Sequence, residues 1–233
     1  PLRLVGSEMC IRDRLKTVSM FQKKQDIYKF LVLLMFGCSN INENSIPYYD
    51  SPGFTPHFLN QKQAETRIFH TIPEFTLTDQ YNNDFIFSKS ENSLHVANFI
   101  FTTCSDICPN MTSNMKLVEK AFFNDSLVKI LSFSVAPWID TPRKLFEYAN
   151  FYDIKTNNWF LLTGDKSKIY DLARRSYFAE EDFGFSRDST VFLHTEHFIL
   201  VDQNRKIRGI YNGTLELETQ QLIKDISALK ESL

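Results

Sequence analysis

The most constraining stretch of this chain is residues 96–115, VANFIFTTCSDICPNMTSNM, where a short apolar run leads through two cysteines into a helix. Val96, Ala97, Phe99, Ile100 and Phe101, interrupted only by Asn98, read as a strand covered on both faces, the habit of an α/β sheet. Thr102 and Thr103 end it. Pro109 suits the first turn of a helix, where its missing N–H costs nothing. Met111, Met115, Val118 and Phe122 then follow at helical spacing and make one apolar stripe.

Cys104 and Cys108 therefore lie where strand becomes helix, beside free amide N–H groups and the positive end of the helix dipole. Both features favour thiolate over thiol, so both cysteines are expected to ionise more easily than a free cysteine. Two thiolates separated by three residues can hold a soft metal or close a disulfide, and spacing alone does not choose between them. The plainer alternative is a pair of buried, inert thiols. Their place around a strand-to-helix turn, with proline next, weighs against it.

TTCSDICPNM resembles the C-x3-C-P signature of the Sco (SenC/PrrC) proteins. The resemblance begins near IPEFTLTDQ (Ile72 to Gln80), runs through SVAPWIDTP (Ser134 to Pro142) and ends with HTEHFILVDQNRKIRGIYNG (His194 to Gly213). It thus covers nearly all of the chain from about residue 70. It implies a thioredoxin-like, copper-binding assembly factor for cytochrome oxidase, with Cys104, Cys108 and His194 as the copper ligands. Soft sulfur suits Cu(I), and the imidazole nitrogen makes Cu(II) acceptable as well. The implied recipient is the subunit of a respiratory oxidase that holds its dinuclear copper centre. Where the family usually carries Asp-Pro, this chain has Ala136-Pro137, so any acidic tuning from that position is absent.

A second function class is a thiol–disulfide oxidoreductase that keeps the recipient's cysteines reduced, with Cys104 attacking and Cys108 resolving the mixed disulfide. Thioredoxin-type enzymes use two intervening residues and need no distant imidazole. Three intervening residues and an available histidine put copper binding ahead. His197 competes with His194 for the ligand role, but the two differ by an odd number and point to opposite faces of an extended segment.

The first segment reads as processing rather than fold. PLRLVGSEMCIRDR fits nothing that follows, and SEMCIRD resembles a translated sequencing adapter, so residues 1–19 are set aside as a non-native extension. From Met20 the chain has the form of an export signal, residues 20–37, with Lys23, Lys24 and Lys29 before the apolar FLVLLMF. That run is shorter than the roughly 20 residues a membrane span needs. LMFGC resembles a bacterial lipobox, which makes Cys38 the expected lipidated residue, followed by a polar linker to residue 66 and a thioredoxin-like domain over residues 67–233. The expected location is the bacterial cell envelope, membrane-anchored and facing the periplasm.

A chain of 233 residues, 43% hydrophobic and 23% charged, has room for one domain with a real core. A formal net charge of −2 and the lack of a basic stripe with interleaved aromatics argue against a nucleic-acid partner. Phe75–Thr78 and Phe85–Phe87, around DQYNND, read as a hairpin placed before the core. A strand over 127–135 leads to a helix capped by Asp140 or Thr141, with Leu145, Phe146 and Ala149 facing inward. A strand over 159–162, a helix over 165–176, a loop carrying His194, and a strand over 198–201 follow. A turn at 202–206, with Asn204 expected to supply any left-handed residue, leads to a strand over 207–211 and a last helix from Leu215. Strands alternating with helices give an α/β fold with a central mixed sheet flanked by helices.

Overall fold

The computed structural model describes residues 46–88, 92–179 and 195–231. In chain order its elements are α1 (Gln61–Arg67), β1 (Phe75–Thr78), β2 (Asp84–Phe87), β3 (Leu94–Ile100), α2 (Cys108–Ala121), β4 (Val128–Ser134) and α3 (Pro142–Phe151). These are followed by β5 (Trp159–Leu162), α4 (Lys166–Asp171), β6 (His197–Val201), β7 (Ile207–Asn212) and α5 (Glu216–Glu231). The expected signal peptide, Cys38 and His194 lie outside the described residues.

Five strands form a mixed sheet in the order β5-β4-β3-β6-β7, and β1 and β2 pair separately as the expected hairpin. β3, β4 and β5 run parallel, whereas β6 runs antiparallel to both β3 and β7. All seven residues of the central β3 are buried, as its two-sided apolar pattern requires. Alternation along that strand divides the core. Leu94, Val96 and Ile100 pack with Met111 and Met115 of α2, Leu145 of α3, and Leu222 and Ile226 of α5. Ala97 and Phe99 face the other way, toward Phe87 of the hairpin, Ile169 and Tyr177.

Two polar residues of β3 are absorbed differently. Asn98 accepts a hydrogen bond from Ser132 Oγ at 2.6 Å, and that hydroxyl accepts from the Trp159 indole at 2.9 Å. His95 is fully buried, with Nε2 3.0 Å from the Tyr177 hydroxyl and its ring edge-on to Phe87. Burial, helped by the nearby charge of Lys129, pushes its pKa down to about 3 and keeps the imidazole neutral.

Several expectations are corrected. The polar run read as lacking regular structure contains α1, which Asn60 and Gln63 close with a capping box. Residues 46–72 form a strap along β7. Tyr49 pairs with Ile207, Arg208 donates to the Ile46 and Pro47 carbonyls, and Lys206 Nζ reaches the Ala64 carbonyl at 2.7 Å. At the opposite edge, the Gln80 side chain accepts from Leu161 N at 2.9 Å and donates to the Trp159 carbonyl at 3.0 Å, standing in for a sixth strand.

Phe146 is not inward. It is 43% exposed against Tyr81, because the buried stripe of α3 is Leu145, Tyr148 and Ala149. The helix expected over 165–176 begins as read, with Asp165 capping, but widens into a π-turn at Leu172–Ser176. The left-handed residue of the β6–β7 turn is Arg205, at φ 62°, and not Asn204. Asp202 Oδ1 accepts from the amides of Asn204 and Lys206, which fixes the turn, and Arg205 offsets the strain by bonding the Ile72 carbonyl.

Candidate metal centre

β3 ends at Ile100 and α2 begins at Cys108, so the turn between them spans residues 101–107 and carries Cys104. Both thiols are free; Cys108 is buried and Cys104 partly exposed. Parallel pairing of β3 with β4 places the β4–α3 connection beside this turn. From that connection comes Asp140, fully buried, which accepts from Thr102 Oγ1 at 2.5 Å, Thr102 N at 3.3 Å and Ser134 Oγ at 2.6 Å. Thr141, not Asp140, caps α3.

The two thiols are strongly unequal. Burial opposes ionisation of Cys104, but the backbone N–H groups of Cys108, Asp106 and Ile107, together with the Cys108 thiol, donate to its sulfur and hold its pKa below the ordinary value. Cys108 behaves oppositely. Burial is the main cause, its hydrogen bond to Cys104 adds to it, and the charges of Cys104 and Asp140 contribute, so the thiol is pushed up to about 12. The expectation that both cysteines ionise easily is therefore wrong for Cys108. The free amides at the helix start point at the cysteine just outside the helix, while the one inside it pays for burial.

β6 runs antiparallel to β3 with His95 opposite Val201 and Ala97 opposite Ile199, so its first residue, His197, lies at the Ile100 end of β3. The chain thus enters β6 at the end of the sheet that carries the cysteine turn. His197 itself is engaged by Thr195, with Nδ1 3.1 Å from Oγ1, and lies edge-on to Phe54 at 5.6 Å. Among the described residues no three His, Cys, Asp or Glu side chains gather as a metal site, the expected third ligand being outside them. His57 pairs with Asp50 and His70 with the Ser176 carbonyl, which accounts for both as structural residues.

The SCO1/SenC family model matches residues 63–231, well over half of the chain. The chain belongs to the SCO1/SenC family. The "SCO1 protein homolog" of Bacillus subtilis is 30% identical over 169 residues, covering 72% of this chain and 86% of the homologue. A SCO1/SenC family lipoprotein from Bacillus anthracis is 28% identical with a TM-score of 0.58, over 69% of this chain and 95% of that one. BsSco, a member of the Sco family of cytochrome c oxidase assembly proteins in which a disulfide switch has been identified, is 30% identical with a TM-score of 0.58, over 69% and 93%. These SCO1/SenC likenesses agree with the thioredoxin-like arrangement expected from the sequence.

Within this SCO1/SenC chain, sequence reasoning weighed Asp140 only as a helix cap and Thr102 only as a strand end. Only the strand pairing reveals the connection: β3 and β4 are neighbouring parallel strands, Thr102 follows the end of β3, Ser134 ends β4, and Asp140 is the sole acid in the connection after it.

Proposed function

We propose that this chain binds copper through Cys104, Cys108 and His194 and passes it to the dinuclear copper centre of a cytochrome oxidase. The observation that carries this reading is the antiparallel pairing of β6 with β3, which brings the chain adjoining His194 to the cysteine end of the sheet. Alternation adds support. Phe198 and Leu200 face the α2 layer and Ile199 faces away, so His197, which shares the parity of Ile199 and lies against Phe54, is turned from the helix that begins with Cys108, and the ligand role is left to His194. The donor chemistry also fits, because two thiolates favour Cu(I) and a neutral imidazole admits Cu(II). Copper is the cargo here. Cys104 offers the ready thiolate, and Cys108 gives up its proton as the metal arrives. BsSco, as an oxidase assembly protein, supports the recipient.

The inequality of the thiols supports a second reading, a thiol–disulfide exchange in which Cys104 attacks and Cys108 resolves. The two readings separate at His194. His194→Ala is expected to weaken Cu(II) binding by about tenfold or more while Cys104 and Cys108 still cycle between dithiol and disulfide. His197→Ala is expected to leave both properties unchanged. Competition titrations with a Cu(II) chelator measure this, and wild-type affinity in His194→Ala would remove the histidine from the site.

Lipidation of Cys38 and a periplasm-facing position on the envelope membrane complete the proposal. The Bacillus anthracis relative is a lipoprotein, and no helix among the described residues is long and apolar enough to cross a membrane. Mass spectrometry of detergent-extracted protein is expected to show a chain starting at Cys38 and heavier than its peptide by a diacylglycerol and an acyl group. A chain still carrying Lys23 would refute the anchor.

A further inference from the structure

We propose that Asp140 is a positioning residue of the thiol site: by clamping Thr102 to Ser134, its carboxylate fixes the turn from which Cys104 meets Cys108. Three donors converge on this fully buried group, namely the hydroxyl and amide of Thr102 and the hydroxyl of Ser134. A carboxylate only accepts, and its two oxygens match three donors; an asparagine in its place would turn an N–H toward one of them. The Ser134 hydroxyl is itself oriented, since its oxygen accepts from Ala136 N at 3.1 Å and its proton is left for Asp140. The clamp therefore ties residue 102, two positions before Cys104, to the end of the adjacent strand β4.

Position 102 matters because the rest of the turn hangs from it. Cys104 N donates to the Phe101 carbonyl at 3.0 Å, and Val135 N donates to the Ile100 carbonyl at 2.9 Å. Between those bonds Asp140 is the group that crosses from the β4 connection to the cysteine turn. It also lies close enough for its charge to bear on Cys108. A carboxylate at Asp140 thus stands near the thiol pair.

This inference rests on the cysteine turn being the working site, and its test contains no metal. Purified protein is equilibrated with reduced and oxidised glutathione. One glutathione disulfide is cleaved, one Cys104–Cys108 disulfide forms, and the two cysteine protons and two electrons end on two glutathione thiols. Asp140→Asn and Thr102→Val are each expected to lower the equilibrium constant for ring closure by about tenfold, because the two sulfurs lose their preset approach. The double variant is expected to lose no more than the larger single loss, and Thr102→Ser, which keeps the hydroxyl, to stay near wild type.

Cooperative melting of each variant checks that it is folded. Should Asp140→Asn fail to fold, Thr102→Val, at a partly exposed residue, and Ser134→Ala decide the matter. Constants within twofold of wild type in those folded variants, or losses that simply add, would overturn the clamp. Failure of the wild-type protein to bind copper, with these shifts present, would count against the copper reading alone.

Discussion

Cys104→Ser and Cys108→Ser are each expected to abolish tight copper binding, with Cu(I) affinity falling by roughly a thousandfold, because one thiolate and one imidazole are too weak a set for a soft ion. The unequal thiols add a pH signature. Cys108 carries a proton up to about pH 12, so at neutral pH the metal must displace it. Proton competition grows as pH falls, and apparent Cu(I) affinity should rise by about tenfold per pH unit from pH 6 to 8 on account of Cys108 alone. Cys104 adds a second proton only below its own lowered pKa. Competition with a Cu(I) chelator at several pH values measures both effects. Wild-type stoichiometry and affinity in either serine variant would end the two-thiolate site.

Acid should unfold this protein through His95. Its pKa is about 3 in the folded chain and ordinarily 6.5, so below pH 6.5 the unfolded state binds a proton that the native state excludes. The sign is that of a depressed group: the stabilising contribution is complete above pH 6.5 and is lost as pH falls toward 3. The slope is about 1.4 kcal/mol per pH unit, or roughly 4–5 kcal/mol over the whole interval. Such a loss is comparable to the total stability of many domains. His95→Gln, which keeps a polar partner for the Tyr177 hydroxyl, should be weaker at pH 7 but flatter in acid. Between pH 6.5 and 4.5 the wild type should lose about 2 kcal/mol more than the variant in urea unfolding. Equal losses in both would show that His95 does not govern the acid limb.

The fold was legible where one residue type meets one period. The alternation and apolar density of β3, the stripe of α2 and the Asp/Asn turn of the hairpin all survive in the structure, because each is decided by local burial. Long-range polar pairing was not legible. Asp140 is indistinguishable from a cap until Thr102 and Ser134, 38 and 6 residues away, are seen to converge on it. Arg205, the left-handed residue of its turn, bonds the Ile72 carbonyl, 133 residues away in sequence. The cysteines illustrate both cases. Their place at the helix start follows from sequence, but which of the two gains from it depends on where the amides point and which sulfur is buried.

The strap along β7 and the Gln80 side chain on β5 have a consequence for solubility. An outer strand left bare offers its amides and carbonyls to any passing chain, and sheets joined edge to edge are the start of aggregation. Here each open side is occupied by the protein's own residues, a side-chain amide on one side and residues 46–72 on the other. A fragment cut at residue 67 would keep both thiols and lose the bridge from Tyr49 and the carbonyls that hold Lys206 and Arg208. It would carry both thiols and stick to its own copies, so residues 46–72 serve as a guard against self-association at the β7 edge.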